Sequence, residues 1–368
     1  MSIPEANTGT KPVADQHAFD LARLEQYLQA HLPGFAGPLV VEQFKGGQSN
    51  PTYKLSTPAR TYAMRSKPGP AAKLLPSAHA IEREFKVMRA LHGTDVPVPE
   101  MHVLCEDESV IGRAFYLMEF VAGRVLWDQS LPAFDRAGRG AIYDEMNRVM
   151  AALHSVDPKA VGLADYGKPG NYFERQIGRW GKQYLASITE PIEAMDRLMA
   201  WLPAHMPASA RDDSKVSVVH GDYRLDNLVF HATEPRVVAV LDWELSTLGH
   251  PLADFSYHCM SWHIVPNSSH AARGIGGLDH AALGIPSEKE YVRRYCERTG
   301  RADPQAVMAD WNFYLAYNLF RMAGILQGIA KRVEAGTASS EQARQSAAGA
   351  RPLAEMGWRI AEHGAPSA

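Results

Sequence analysis

The chain has 368 residues, 46% of them hydrophobic, with 38 basic against 41 acidic side chains for a formal charge of -3. That is enough chain for two compact units, and the charge balance excludes the basic stripe or polybasic tail of a nucleic-acid or anionic-membrane binder. Cys105, Cys259 and Cys296 are odd in number, far apart and without a Cys-x-x-Cys spacing. Neither a disulfide framework nor a zinc site is expected from them, and the expected compartment is the cytoplasm.

Residues 1–19 read as a polar tail with no secretory leader, and no run in the chain approaches the length needed to span a bilayer. Leu21, Leu24, Leu28 and Leu32 then recur at helical spacing until Pro33-Gly34 stops the pattern. From 39 to 65 the composition turns β-like in three runs, 39–41, 52–55 and 61–65, separated by turn residues and read as antiparallel strands. A helix over 77–91 carries Ile81, Phe85, Met88 and Leu91 on one face. Pro97-Val98-Pro99 ends it, and two further strands follow near 101–104 and 114–120. The expected first lobe is therefore 20–121, a five-stranded sheet plus a helix.

Beyond Gly123 the pattern is helical, near 134–154, 171–187, 191–203, 253–263, 287–298, 304–331 and 339–363. A β-rich island over 216–243 interrupts it, with apolar runs bracketing polar loops. Residues 122–368 are thus expected to form a larger, mostly helical lobe, which makes the whole an α+β chain of two lobes.

The polar loops hold the chemistry. After the apolar run 217–219 comes His220-Gly221-Asp222-Tyr223-Arg224-Leu225-Asp226-Asn227, an H-x-D-x-x-x-x-N pattern. Phosphoryl transfer needs a carboxylate to orient and deprotonate the attacking hydroxyl and a neutral oxygen donor for magnesium, the roles that Asp222 and Asn227 suit. Fifteen residues past Asn227, Asp242 stands at the end of a second apolar run in Leu241-Asp242-Trp243-Glu244, where a carboxylate can chelate a phosphate-bound Mg2+. Either segment alone is often only a capped turn. Two in the right order after a β-rich lobe are much more specific.

With these motifs the chain resembles the aminoglycoside phosphotransferase and choline kinase family over roughly residues 20–330. Within it, the chain is most similar to the kinase-like domains associated with acyl-CoA dehydrogenases. The subgroup rests on Lys73-Leu74-Leu75-Pro76-Ser77-Ala78-His79 and Asp242-Trp243-Glu244-Leu245-Ser246-Thr247-Leu248-Gly249. The resemblance implies a protein-kinase-like fold, ATP and Mg2+, with Asp222 as base and Asn227 and Asp242 on the metal. By the same resemblance, Gly46, Gly47, Gln48, Ser49 and Asn50 form the turn over the phosphates, where an ordinary hairpin turn is the alternative.

Arg65 stands where the family places a lysine, with Lys67 as the competing cation. Arginine grips phosphate bidentately where lysine is a point charge. The resemblance pairs this cation with Glu84, Glu82 being the alternative, and puts adenine against the backbone near Glu119 to Val121. Asp254 is expected to brace the catalytic loop. His154, His220 and His231 read as packing residues, and Arg224 as a minor candidate for a transferring phosphate.

The expected partner is a small-molecule hydroxyl acceptor, contacted from among Tyr172, Arg175, Trp180, Trp243, Tyr257, Trp262, Tyr314, Asn318 and Arg321, most of which are expected to be core. Cations across 287–332 favour a neutral or anionic acceptor. The subgroup points to a hydroxy acid or hydroxyacyl-CoA and to a functional link with an acyl-CoA dehydrogenase. The rivals are an aminoglycoside-type antibiotic kinase and a catalytically silent nucleotide-binding regulatory module.

Overall fold

A computed structural model describes residues 8–45, 50–69, 80–168, 170–266, 274–338 and 340–365, the side chains of Glu341 and Gln342 excepted. The chain divides into two units, one ending at Trp127 and joined by Asp226–Ser246, the other comprising Asp128–Leu225 and Thr247–Ala368. The sequence reading drew its boundary at 121/122 and left 226–246 with the helical lobe. A two-residue strand, Arg124–Val125, pairs with Leu228–Phe230 and draws that segment to the first unit.

The first unit is built on a six-stranded antiparallel sheet in the order β1-β2-β3-β4-β6-β5. Its strands are β1 Thr10–Lys11, β2 Val40–Phe44, β3 Thr52–Ser56, β4 Thr61–Ser66, β5 Met101–Cys105 and β6 Phe115–Glu119. Five of these match the expected runs. The sixth, β1, lies in the expected tail, pairing Thr10 with Phe44, and is too short and polar to carry a period-2 signal. Helix α1, Leu21–His31, is capped by the Asp20 carboxylate, which accepts the Arg23 N–H. Its buried Leu24 and Leu28 pack with Tyr53, Leu55, Tyr62, Met64, Phe115 and Leu117 in one core. Strand alternation then turns the register partners Arg65 and Tyr116 to the opposite face. There they meet Glu84 of α2, Ile81–Leu91.

The second unit packs around the helix Trp311–Glu334, which contacts Tyr172–Ser187, Glu193–Ala204, Pro251–Cys259 and Ala350–His363. The helices expected over 304–331 and 339–363 are each two, Pro304–Ala309 with Trp311–Glu334 and Glu341–Ala347 with Ala350–His363. Asp310, at the first break, spends its carboxylate on the Ser209 hydroxyl. Two short elements escaped the pattern reading: the helix His280–Leu283, and the strand Thr247–Gly249, which pairs with Ser217–Val219. Among the described residues no helix is long and apolar enough to cross a membrane.

Two buried histidines give this unit a pH dependence. His250 caps the helix Pro251–Cys259 through Nδ1, which accepts the Leu252 N–H, while Nε2 donates to the Ser209 carbonyl. His258 lies inside the same helix, with Nε2 2.9 Å from the Tyr291 hydroxyl. Burial lowers both imidazoles to about 4. Both are neutral when folded, whereas the unfolded chain takes up protons from about pH 6.5. Stability from these groups is thus complete above that pH and is lost as pH falls toward 4, at roughly 2 kcal/mol each by pH 5. Urea midpoints measured at pH 7.5 and 5 should show this drop, and His258→Gln should flatten it.

Candidate active site

On the second face of the sheet Arg65 is nearly enclosed, at 8% exposure. Its Nε lies 3.2 Å from Glu84 Oε2, and its Nη2 donates to Asp242 Oδ1 at 2.7 Å and reaches Glu244 Oε2 at 3.4 Å. One guanidinium therefore faces three carboxylates. Burial by itself would lower the Arg65 pKa, but Glu84 and Asp242 outweigh it and hold the cation charged. Glu84 is 1% exposed, and burial raises its carboxyl above the usual range although Arg65 pulls it back. The Asn50 amide and the Tyr116 hydroxyl, each 3.1 Å away, donate to its two oxygens. The alternatives left open in the sequence form a separate surface pair, Lys67 with Glu82 at 3.3 Å.

Asp242 and Asn227 come together through strand pairing. Leu228 is the register partner of Val240, and one step further the Leu241 N–H donates to the Asn227 carbonyl at 2.9 Å. The two oxygen-bearing side chains thus leave adjacent strand ends, and the Asp242 side chain keeps 34% of its surface. Asp242 is also left-handed, at φ 65°, a strained conformation for a residue with a Cβ and one that recurs at functional sites. The fully buried Trp243 anchors the turn by donating Nε1–H to the Val240 carbonyl.

The remaining nucleotide-side residues fare differently. Gly46, Gly47, Gln48 and Ser49 lie outside the described residues, as does the segment 73–79 that supported the subgroup. Asn50 is fully buried, and its side-chain amide donates to the Glu84 carboxylate. The Glu119 N–H donates to the Glu100 carbonyl at 2.8 Å and is spent within the sheet. Val121 follows β6 in irregular, part-exposed chain.

In the second unit the loop after Ser217–Val219 is held by one carboxylate. Asp254 accepts the backbone N–H of His220 at 2.6 Å and of Gly221 at 2.8 Å, and it pairs with His154 Nε2 at 3.2 Å. His154 is itself set by the Tyr295 hydroxyl at 2.7 Å. Burial would raise Asp254, but the hydrogen bonds from His154 and the His220 N–H outweigh it and lower its pKa. Gly221 sits at φ 84°, which a residue with a Cβ adopts only under strain, and this bend turns the chain into Asp222. The Asp222 N–H donates to His220 Nδ1. The Asp222 carboxylate accepts the Tyr257 O–H at 2.5 Å and lies 3.5 Å from Arg224 Nε, with 23% of its side chain exposed. Burial, then the Asp222 charge, raise the Tyr257 pKa, so the phenol remains a donor.

Of the acceptor candidates, Trp243, Trp262, Tyr314 and Asn318 are core. Trp262 donates to the Pro286 carbonyl, and Asn318 bonds the Ala253 carbonyl and Ser256. Tyr257 and Arg321 flank the Asp222 loop, and Arg321 Nη2 donates to the Gly221 carbonyl at 2.7 Å. Sequence reasoning missed that Tyr257 holds Asp222 and that His154 sets Asp254. Those pairs are 35 and 100 residues apart, and no spacing rule reaches so far.

A small antiparallel sheet carrying a buried cation–glutamate pair, together with a helical unit holding an aspartate loop, defines a two-lobed, protein-kinase-like phosphotransferase fold. The chain belongs to the phosphotransferase enzyme family, whose profile matches residues 40–291. A solved structure from Ralstonia eutropha, described provisionally as an aminoglycoside phosphotransferase, is 65% identical. It superposes with a TM-score of 0.85 over 94% of this chain and 99% of its own.

The hygromycin B and AMP-PNP complex of aminoglycoside phosphotransferase APH(4)-Ia shares the fold at 14% identity and a TM-score of 0.58, over 93% of this chain and 99% of its own. Among curated proteins, mouse acyl-CoA dehydrogenase family member 10 is 46% identical over 96% of this chain and 32% of its own length. Mouse family member 11 is 42% identical over 97% and 45%. The chain therefore spans a third to somewhat under half of these relatives.

Proposed function

We propose that this chain transfers the terminal phosphoryl group of ATP to a hydroxyl of a small hydroxy acid or its CoA ester. The observation that carries the reading is the Asp222 carboxylate, part-exposed on a loop pinned by Asp254. Asp222 orients the acceptor hydroxyl and takes its proton. The hydroxyl oxygen bonds to the γ-phosphorus as the bond to the β–γ bridging oxygen breaks, leaving ADP. Arg65, steadied by Glu84, meets the phosphates, and the backbone carbonyl of Glu119 and the chain at Val121 serve the adenine. Gly46, Gly47, Gln48 and Ser49 are assigned to the phosphates by resemblance alone.

The Asn227 amide oxygen and the Asp242 carboxylate are hard donors on adjacent strand ends, a set that suits magnesium, which keeps waters and takes phosphate oxygens for the rest of its shell. When bound, the ion neutralises charge on the phosphates. The likeness to acyl-CoA dehydrogenase family members supports an acid or acyl ester as acceptor and a functional link to such a dehydrogenase. The three cysteines are free and buried, in keeping with a cytoplasmic protein. The kinase fold and its likeness to aminoglycoside enzymes keep antibiotics among the acceptors to be tried. One observation favours a silent regulatory module: Arg65 already occupies Asp242 at 2.7 Å, in competition with a metal.

ADP release should be measured with Mg·ATP and Mg·GTP across hydroxy acids, their CoA esters, choline-like alcohols and aminoglycosides. Acceptor-dependent release with an acid or its ester, abolished by EDTA, is the expected result. Thermal stabilisation by ATP with no acceptor turned over would put the regulatory module first.

A further inference from the structure

Arg321 is a guanidinium on the helix Trp311–Glu334. Among the described residues it makes no ion pair, and of its five N–H donors only one is used, Nη2 to the Gly221 carbonyl at 2.7 Å. Its charge lies over aromatic faces, 5.1 Å from the Tyr257 ring centroid and 5.8 Å from that of Trp180. Tyr172 and Tyr317 add two further phenols near it. Burial disfavours its charge, yet these phenols and Asp222 hold it protonated. A second guanidinium, Arg179, lies 5.4 Å from the Trp180 ring, and the Trp180 indole N–H is shielded and has no hydrogen-bond partner among the described residues.

Rings grouped in this way attract an ammonium ligand. Here the chain's own guanidinium already sits against them. A cationic acceptor arriving beside it would meet like charge, at a cost that discriminates strongly. Among the described residues the cluster has surplus donors and positive charge and no carboxylate within ion-pair distance of Arg321. The acid whose charge acts on Arg321, Asp222, is already shared by Tyr257 and Arg224. Gly221 immediately precedes Asp222, so Arg321 contacts the loop one residue from the proposed base.

We propose that Arg321 is a specificity-determining residue that reads a carboxylate close to the acceptor hydroxyl and turns away cationic alcohols. The inference rests on the phosphotransfer reading above and narrows it to acceptors charged near the hydroxyl. A CoA thioester, neutral at that carbonyl, gains nothing from Arg321.

The test uses hydroxyalkanoates from 3-hydroxybutanoate to 6-hydroxyhexanoate, each beside its primary amide, its CoA thioester and the matching amino alcohol, with wild type, Arg321→Gln and Arg321→Lys. Glutamine is shorter than arginine and carries no charge, so lysine, also shorter but still charged, is the control for the lost Gly221 contact. Wild type should prefer the best acid over its amide by about 30-fold in kcat/KM, the worth of one charge-assisted hydrogen-bond set. Arg321→Gln should erase that ratio by raising KM for the acid more than KM for its amide or thioester, each compared within the same variant. Arg321→Lys should restore part of it.

An equal fall in kcat for every acceptor, with the ratio intact, would reduce Arg321 to a loop-positioning residue and overturn the proposal. So would a wild-type preference for amino alcohols. If nothing is phosphorylated, calorimetric binding of the same series decides. Charge preference lost in Arg321→Gln upholds the inference while the phosphotransfer reading fails, and binding without charge preference sinks it.

Discussion

Asp222→Asn is expected to lower acceptor-dependent turnover by about 10²–10⁴-fold, the range lost when a positioned general base is removed. The change is close to isosteric. The amide oxygen still accepts the Tyr257 O–H, and the brace from Asp254 to the His220 and Gly221 N–H groups does not involve the altered side chain. The loop should therefore keep its shape, so KM for ATP should stay within about twofold and the thermal midpoint within a degree or two. Steady-state ADP release beside a thermal melt separates the two effects. Turnover within threefold of wild type would remove Asp222 from the mechanism.

Arg65→Met should be the most destabilising single change in the first unit, costing about 3–5 kcal/mol, the range for removing one partner of a buried ion pair. The methionine leaves Glu84, at 1% exposure, with only Asn50 and Tyr116 for company, and it frees Asp242 and Glu244 to repel each other. The double variant Arg65→Met, Glu84→Met should regain most of that loss, because a buried pair exchanged for apolar groups of similar volume is often neutral. Nucleotide affinity should stay low in both. Urea denaturation and ATP titration of the singles and the double form a cycle in which stability and binding part company. A double variant as unstable as the single would mean that Glu84 is not the chief partner of Arg65.

Much of the first unit was legible because its signals are periodic. The Leu24 and Leu28 spacing and the strand alternation from Tyr53 to Met64 follow directly from burial on one face. Strand β1 and the strand Arg124–Val125 were not legible, since two residues cannot show a period of two. Asp222, Asn227 and Asp242 stood out through residue type and order, whereas the acceptor candidates did not sort themselves. Trp243 and Trp262 are as aromatic as Tyr257, and only the fold turns the first two into core and the third toward Asp222. Arg321 looked like one cation among many on 287–332. That it forms no ion pair among the described residues is a property of its surroundings, which local sequence does not encode.

The strand pair Ser217–Val219 with Thr247–Gly249 closes the chain on itself just before residue 220 and just after residue 246. The proposed base and both proposed metal donors lie on that one excursion. Closing a loop of this length costs about 3 kcal/mol of chain entropy, a cost that Asp222, Asn227 and Asp242 share. Parting of Val219 and Thr247 would loosen the Asp222 end of that excursion alone, because Asn227 and Asp242 keep the pairing of Leu228 with Val240 and of Leu228–Phe230 with Arg124–Val125, so the two proposed metal donors outlast that opening.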